Sequence, residues 1–251
     1  IRRRGSAFAS SPFRTAEAPG KKPVHFAQVT VAKRAKLYYN KGNWPGVPDK
    51  RRWRKIKILA VSDFESKFIW DHFDPEVFRG TDIILSCGDL KASYLSYLVT
   101  MIPAPLFYVH GNHDASYLYR PPEGCVDIDG RVIEYKGMRI AGLGGCKGGY
   151  GAYQYTEAQM WKRAKKLESA IKKHRGLDIF ISHAAPLGRG DRDDSFHQGF
   201  ETFCYLDDTY EPAFHFFGHY HLNGSPVNSK AVTVCGKTTL VNASGYRIIE
   251  L

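Results

Sequence analysis

Ile56-Lys57-Ile58-Leu59-Ala60-Val61-Ser62-Asp63-Phe64-Glu65 is an apolar, partly β-branched run that ends on two acids. Its length and composition predict a strand from Ile56 to Val61, closing at Ser62. A carboxylate at a strand's C-terminal end sits where an α/β protein presents its chemistry. Related stretches recur along the chain: Cys87-Gly88-Asp89, Gly111-Asn112-His113-Asp114, Ser182-His183, Phe217-Gly218-His219 and the nearby His221. Asp, Asn and His together are a ligand set for hard or borderline divalent metals. One such stretch alone would be an ordinary cap or a satisfied core group. The whole series, in this order, points to a two-metal hydrolytic site.

The neighbouring segments predict a parallel core. Asp82–Ser86 and Leu106–Val109 read as further strands, with short helices over Lys67–Phe73 and Tyr94–Met101 between them. Val126–Leu143 reads as hairpins turning at Asp129-Gly130 and Lys136-Gly137. The glycine-rich stretch Gly142–Gly151 reads as a loop that offers Lys147 and Tyr150 as substrate contacts. Thr156–His174 reads as an amphipathic helix with Thr156 as its N-cap and Leu167 and Ile171 on one buried face. Asp178–Ser182 and Ala213–Phe217 are strands. Ala231–Val234, Thr238–Val241 and Tyr246–Ile249 read as antiparallel strands joined by tight turns.

Charge divides the chain in two. Residues 1–57 hold 16 Lys and Arg against Glu17 and Asp49, a net +14, while residues 58–251 hold 20 against 23 acids, a net −3. Residues 1–55 are therefore expected to form a basic, flexible arm, and residues 56–251 one globular domain. Tyr38, Tyr39, Trp44 and Trp53 interleave with that charge, so the arm is a candidate for nucleic acid or an anionic surface. The sequence opens on Ile1, so its natural start is expected upstream. Ile1–Pro23 is loosely like a transit peptide and has no apolar signal core. No apolar run approaches the ~20 residues of a membrane span. The five scattered cysteines favour reduced thiols and a cytoplasmic setting.

The residue types fit phosphoester hydrolysis. A phosphate ester repels an anionic nucleophile, and a pair of divalent ions offsets this by holding the phosphoryl oxygens and acidifying a water. Asp89 is the candidate bridge. Asp63 and His221 suit one ion, and Asn112, His183 and His219 suit the other. His219 and His221 lie two apart, so on an extended segment they share a face. His113 follows Asn112 and is free to act on substrate, as an acid or as a charge stabiliser. Asp114 beside it is a candidate for orienting nearby groups. His197 lies in the long polar loop after His183 and is a candidate substrate contact. His110 and His215 read as ordinary buried imidazoles.

These motifs resemble the signature of the calcineurin-like metallophosphoesterases over about residues 56–251. The matching residues are Asp63-x-Glu65, Gly88-Asp89, Gly111-Asn112-His113-Asp114, His183 and Gly218-His219-x-His221. The closing Asn242-Ala243-Ser244-Gly245 is similar to the small bacterial and archaeal members. The resemblance implies a four-layer α/β/β/α sandwich with two mixed β-sheets. It also implies a dinuclear centre with Asp89 as the bridging ligand and His113 as the catalytic histidine. Two departures stand out. Glu65 occupies the place of the usual histidine, which makes that position harder and favours Mn or Mg, while Fe and Zn stay open. Gly88-Asp89-Leu90 lacks the Asp-Arg-Gly extension of the protein serine/threonine phosphatases.

The expected function is a metal-dependent phosphoester hydrolase, with a phosphodiesterase favoured over a phosphomonoesterase and a metal-bridging hydroxide as nucleophile. Two rivals stand beside it. One is a binding scaffold of the same fold, for which the Glu65 substitution would mark decay. The other is a nuclease that grips polynucleotide with the basic arm.

Overall fold

The computed structural model describes residues 56–194, 196–221 and 231–251. The expectations for the arm at 1–55 lie outside the described residues. A five-stranded sheet is ordered β13-β1-β2-β3-β4. Its strands are β1 (Lys57–Ser62), β2 (Ile83–Ser86), β3 (Leu106–Tyr108), β4 (Cys125–Asp127) and β13 (Gly245–Glu250). A six-stranded sheet is ordered β11-β12-β10-β9-β6-β5. It comprises β5 (Val132–Tyr135), β6 (Met138–Leu143), β9 (Ile179–Ser182), β10 (Phe214–Phe217), β11 (Val232–Cys235) and β12 (Thr238–Asn242). Both sheets are mixed. β1, β2, β3 and β4 run parallel with β13 antiparallel to β1, and β6, β9, β10 and β12 run parallel with β5 and β11 antiparallel at the edges.

Period-two alternation explains the layering. Along β1, Ile58 and Ala60 face the second sheet, where they meet Ile140, Ile179, Ile181, Phe216 and Val241. Leu59 and Val61 point the other way, onto Ile69, Phe78, Leu95 and Leu98. Those residues belong to α1 (Lys67–Trp70), α2 (Pro75–Phe78) and α3 (Ala92–Met101). On the second sheet Ala141, Leu143 and Phe180 face outward onto α4 (Glu157–Lys173) and α5 (Glu201–Tyr210) through Met160, Leu167, Phe203 and Leu206. The central strands β1, β2, β9 and β10 are buried on both faces, which is why they read as continuous apolar runs. The result is the expected α/β/β/α order of layers.

Helix α4 starts on a capping box. Thr156 accepts from the Gln159 N–H while the Gln159 side chain accepts from the Thr156 N–H. Met160, Ala164, Leu167 and Ile171 make its buried stripe. The short helix α2 and the longer α5 have no counterpart in the sequence reading.

One expected hairpin turn is present, and two expected strand connections differ. Lys136-Gly137 is a two-residue turn with both residues at positive φ, 47° and 75°, joining β5 to β6. Asp129-Gly130 is no hairpin. It carries the chain from β4 in the first sheet to β5 in the second, held by the Gly130 N–H on the Gly142 carbonyl at 2.9 Å. Likewise β12 and β13 do not pair, because Ala243-Ser244 crosses from one sheet to the other. Gly142–Gly151 is only partly loop. Leu143 ends β6, and Cys146–Lys147 (β7) pairs with Gln154–Tyr155 (β8). No helix among the described residues is long and apolar enough to cross a membrane.

Candidate metal centre

Five parallel strands deliver the site. Asp63 follows β1, Asp89 follows β2, Asn112 follows β3, His183 follows β9 and His219 follows β10. The turns are tight enough to demand unusual backbone. Asp63, Asp89 and His219 sit at φ of 68°, 57° and 63°, a region costly for residues with a Cβ. Gly111 allows the closest approach: a Cβ there would lie 2.0 Å from Asp89 Oδ1. Gly218 does the same beside Ser62, where a Cβ would come within 1.9 Å of the hydroxyl.

Hydrogen bonds fix the tautomers. His183 Nδ1 lies 2.8 Å from the Cys87 carbonyl, which only accepts, so Nδ1 carries the proton and Nε2 is the lone pair. His219 Nε2 lies 2.7 Å from the Phe196 carbonyl, so its lone pair is on Nδ1. The two lone-pair nitrogens stand 3.1 Å apart. Asn112 Oδ1 lies 3.1 Å and Asp89 Oδ2 3.3 Å from His183 Nε2. Among the described residues Asp89, His183 and His219 offer ligand atoms within 4.8 Å of one another. With both imidazoles neutral, electron-rich atoms thus converge on one place with no hydrogen of their own to share. A divalent cation fits that set, and a proton is the lesser substitute.

The charge states agree. Burial opposes a charge on His183, but Asp89, with help from Asp63 and the Cys87 carbonyl, raises it to about 9. Burial likewise pushes the Asp89 carboxyl up, and His183 and the His113 N–H overcome this, holding it at about 2. His219 is driven the other way, to about 4, by burial and by the neighbouring His183 charge. Burial raises the Asp63 carboxyl above its ordinary range.

Asp63 and His221 lie at the flank. Asp63 Oδ1 accepts from the His219 N–H at 2.7 Å and stands 4.0 Å from His221 Nε2. Asp63 Oδ2 is buried without a hydrogen-bond partner, an orphaned acceptor of the kind a cation satisfies. Glu65 is half-buried and 3.4 Å from Lys91 Nζ, outside the Asp89–His183–His219 group. His113 is exposed, its N–H held by Asp89 Oδ1 at 2.8 Å. His197 packs its ring 5.2 Å from that of His219, with Nδ1 held by Asp194 at 2.9 Å. Lys147 pairs with Glu157 at 3.5 Å, and Tyr150 is exposed.

Asp114 accepts from the Asp89 and Gly111 N–H groups at 2.8 and 2.7 Å, tying two ligand turns together, and burial lifts its carboxyl to about 6. Three further contributors escaped the sequence reading. The Cys87 and Phe196 carbonyls orient ligands as backbone atoms, which no residue type announces. Asp194 could have been suspected from its i,i+3 spacing to His197 in a turn-rich loop.

A family model described as calcineurin-like phosphoesterase matches residues 56–223. One solved structure is 15% identical, with a TM-score of 0.58 over 78% of this chain and 95% of that one. The TT1561 protein of Thermus thermophilus is 17% identical, with a TM-score of 0.52 over 76% of this chain and 89% of that one. Vps29 from Entamoeba histolytica, complexed with zinc, is 12% identical, with a TM-score of 0.38 over 75% and 74%. No curated protein matches the chain by sequence.

Proposed function

The chain belongs to the calcineurin-like phosphoesterase family, and from that premise we propose that it is a metal-dependent phosphodiesterase with a dinuclear centre. The observation that carries this reading is the convergence of His183 Nε2, His219 Nδ1, Asp89 Oδ2 and Asn112 Oδ1, each an acceptor facing acceptors. Those four residues would hold one divalent ion. Asp63 and His221 would hold the second, with Asp89 available to both and Glu65 a further candidate beside Asp63. The carboxylate and amide oxygens suit manganese, the imidazoles suit zinc or iron as well, and manganese is the ion we favour. Divalent ions bound there would neutralise phosphoryl oxygens and lower the pKa of water.

The chain's own residues do the rest. Asp89 orders His113 through the main chain, and the exposed imidazole delivers a proton to the departing ester oxygen. Asp194 holds His197 by Nδ1 and leaves Nε2 to a substrate oxygen beside His219. Asp114 keeps the Asp89 and Gly111 turns in register. The preference for diesters over monoesters follows many small members of the family and is analogy.

The test is hydrolysis of bis-p-nitrophenyl phosphate against p-nitrophenyl phosphate, with manganese or EDTA. Manganese-dependent turnover is expected, faster on the diester, with kcat lowered about 10²–10⁴-fold in His113→Ala. Folded protein inert with Mn, Mg, Ni and Zn alike would leave a binding scaffold.

A further inference from the structure

Behind the metal centre lies a second polar chain that the proposed reaction does not use. Ser182, His215 and Asp207 are all buried, at 0%, 0% and 3% exposure. Ser182 ends β9, His215 lies within β10, and Asp207 is on α5. Ser182 Oγ donates to the Ala184 carbonyl at 2.6 Å, so its hydroxyl proton is committed. His215 Nε2, 2.8 Å away, must then donate to the Ser182 lone pair. His215 Nδ1 shares a further proton with Asp207 Oδ2 at 2.9 Å. Phe180 and Phe217 pack the ring in place, at 4.4 and 5.8 Å.

A buried polar chain of this kind is not favoured by stability, because an apolar trio of similar volume usually does as well or better. Its geometry shows where it acts. The Ser182–Ala184 bond closes the turn that carries His183, whose Nδ1 is held at the Cys87 carbonyl while its Nε2 faces the proposed metal position. The same turn opens the segment leading to Phe196, whose carbonyl orients His219. We propose that Asp207, His215 and Ser182 are positioning residues. They fix the His183 turn, so that metal affinity depends on side chains that never reach the metal. This rests on reading the site as a metal centre.

The experiment is titration of manganese(II) into metal-free wild type, Ser182→Ala, His215→Phe and Ser182→Thr. Each is measured well below its own melting temperature and followed by calorimetry. Loss of an outer-shell partner typically weakens metal binding about 10–100-fold. Ser182→Ala and His215→Phe are expected in that range, Ser182→Thr near wild type because it keeps the hydroxyl, and kcat of all three is expected to recover at saturating manganese. A merely structural role would lower the melting temperature and leave the affinity of the folded protein unchanged, which would overturn the proposal. Failure of the wild type to bind manganese would overturn the reading of the site itself, and this inference with it.

Discussion

At the scale of single residues, the proposed centre would set a proton and a cation in competition for one set of lone pairs. His183 in the metal-free protein is raised to about 9, and its Nε2 must lose that proton before it can ligate. Apparent manganese affinity is therefore expected to fall about tenfold per pH unit below 9 and to flatten above it. Calorimetry in buffers of different ionisation enthalpy would read the released proton directly, and pH-independent affinity between 7 and 9 would refute the assignment. The sign for folding runs opposite. The raised value stabilises the metal-free fold fully below the ordinary histidine value of 6.5, and that stabilisation is lost as pH rises through about 9. Gly111 supplies a steric test of the same site. In Gly111→Ala the new methyl must displace Asp89, whose Oδ1 it would meet at 2.0 Å. A shift of about 1 Å at a reacting centre costs on the order of 10²-fold, so kcat/KM is expected to drop at least that far. Turnover within about threefold of wild type would mean that the Asp89 turn is soft. The ligand types were legible because each follows an apolar run in sequence. His215 reads as buried, but its link to Ser182 and Asp207 was not legible, because those hydrogen bonds join β9, β10 and α5, and no local spacing marks that meeting.

At the scale of elements, local rules succeeded where the chain closes its own hydrogen bonds. Thr156 and Gln159 cap α4 within one turn, so the helix could be read from sequence almost to its ends. Removing the cap in Thr156→Ala is expected to cost about 1 kcal/mol. For a domain of this size that lowers the melting temperature by roughly 2–4 °C. Turnover should be unchanged, since α4 contributes no ligand; a loss of activity would tie the helix to the site. Turns were harder. Asp-Gly at 129–130 and Lys-Gly at 136–137 both have a glycine at positive φ, 68° and 75°. Only the second closes a hairpin. A turn's residues encode its local backbone, not which sheet the next strand will join, and that choice is made by burial between the sheets. The strands β12 and β13 part company for the same reason.

At the scale of the whole molecule, the proposed centre is a joint. Asp63, Asp89 and Asn112 come from strand ends of the five-stranded sheet, and His183 and His219 from the six-stranded one. The sheets are also joined by the apolar layer between them, by two connections at residues 129–130 and 243–244, and by hydrogen bonds such as Tyr135 Oη to the Asp82 carbonyl and the Gly145 N–H to the His110 carbonyl. A cation held from both sides would link the sheets in the folded state and have no such partner set in the unfolded chain. Manganese at about 100 times its Kd should then stabilise the fold by about 2.7 kcal/mol. At roughly 2–4 °C per kcal/mol the melting temperature should rise about 5–10 °C, and EDTA should reverse it. His183→Ala removes the nitrogen at the centre of the group and should abolish the shift. A shift that survives His183→Ala would place the ion elsewhere, and no shift in the wild type would mean that the two sheets do not share a metal.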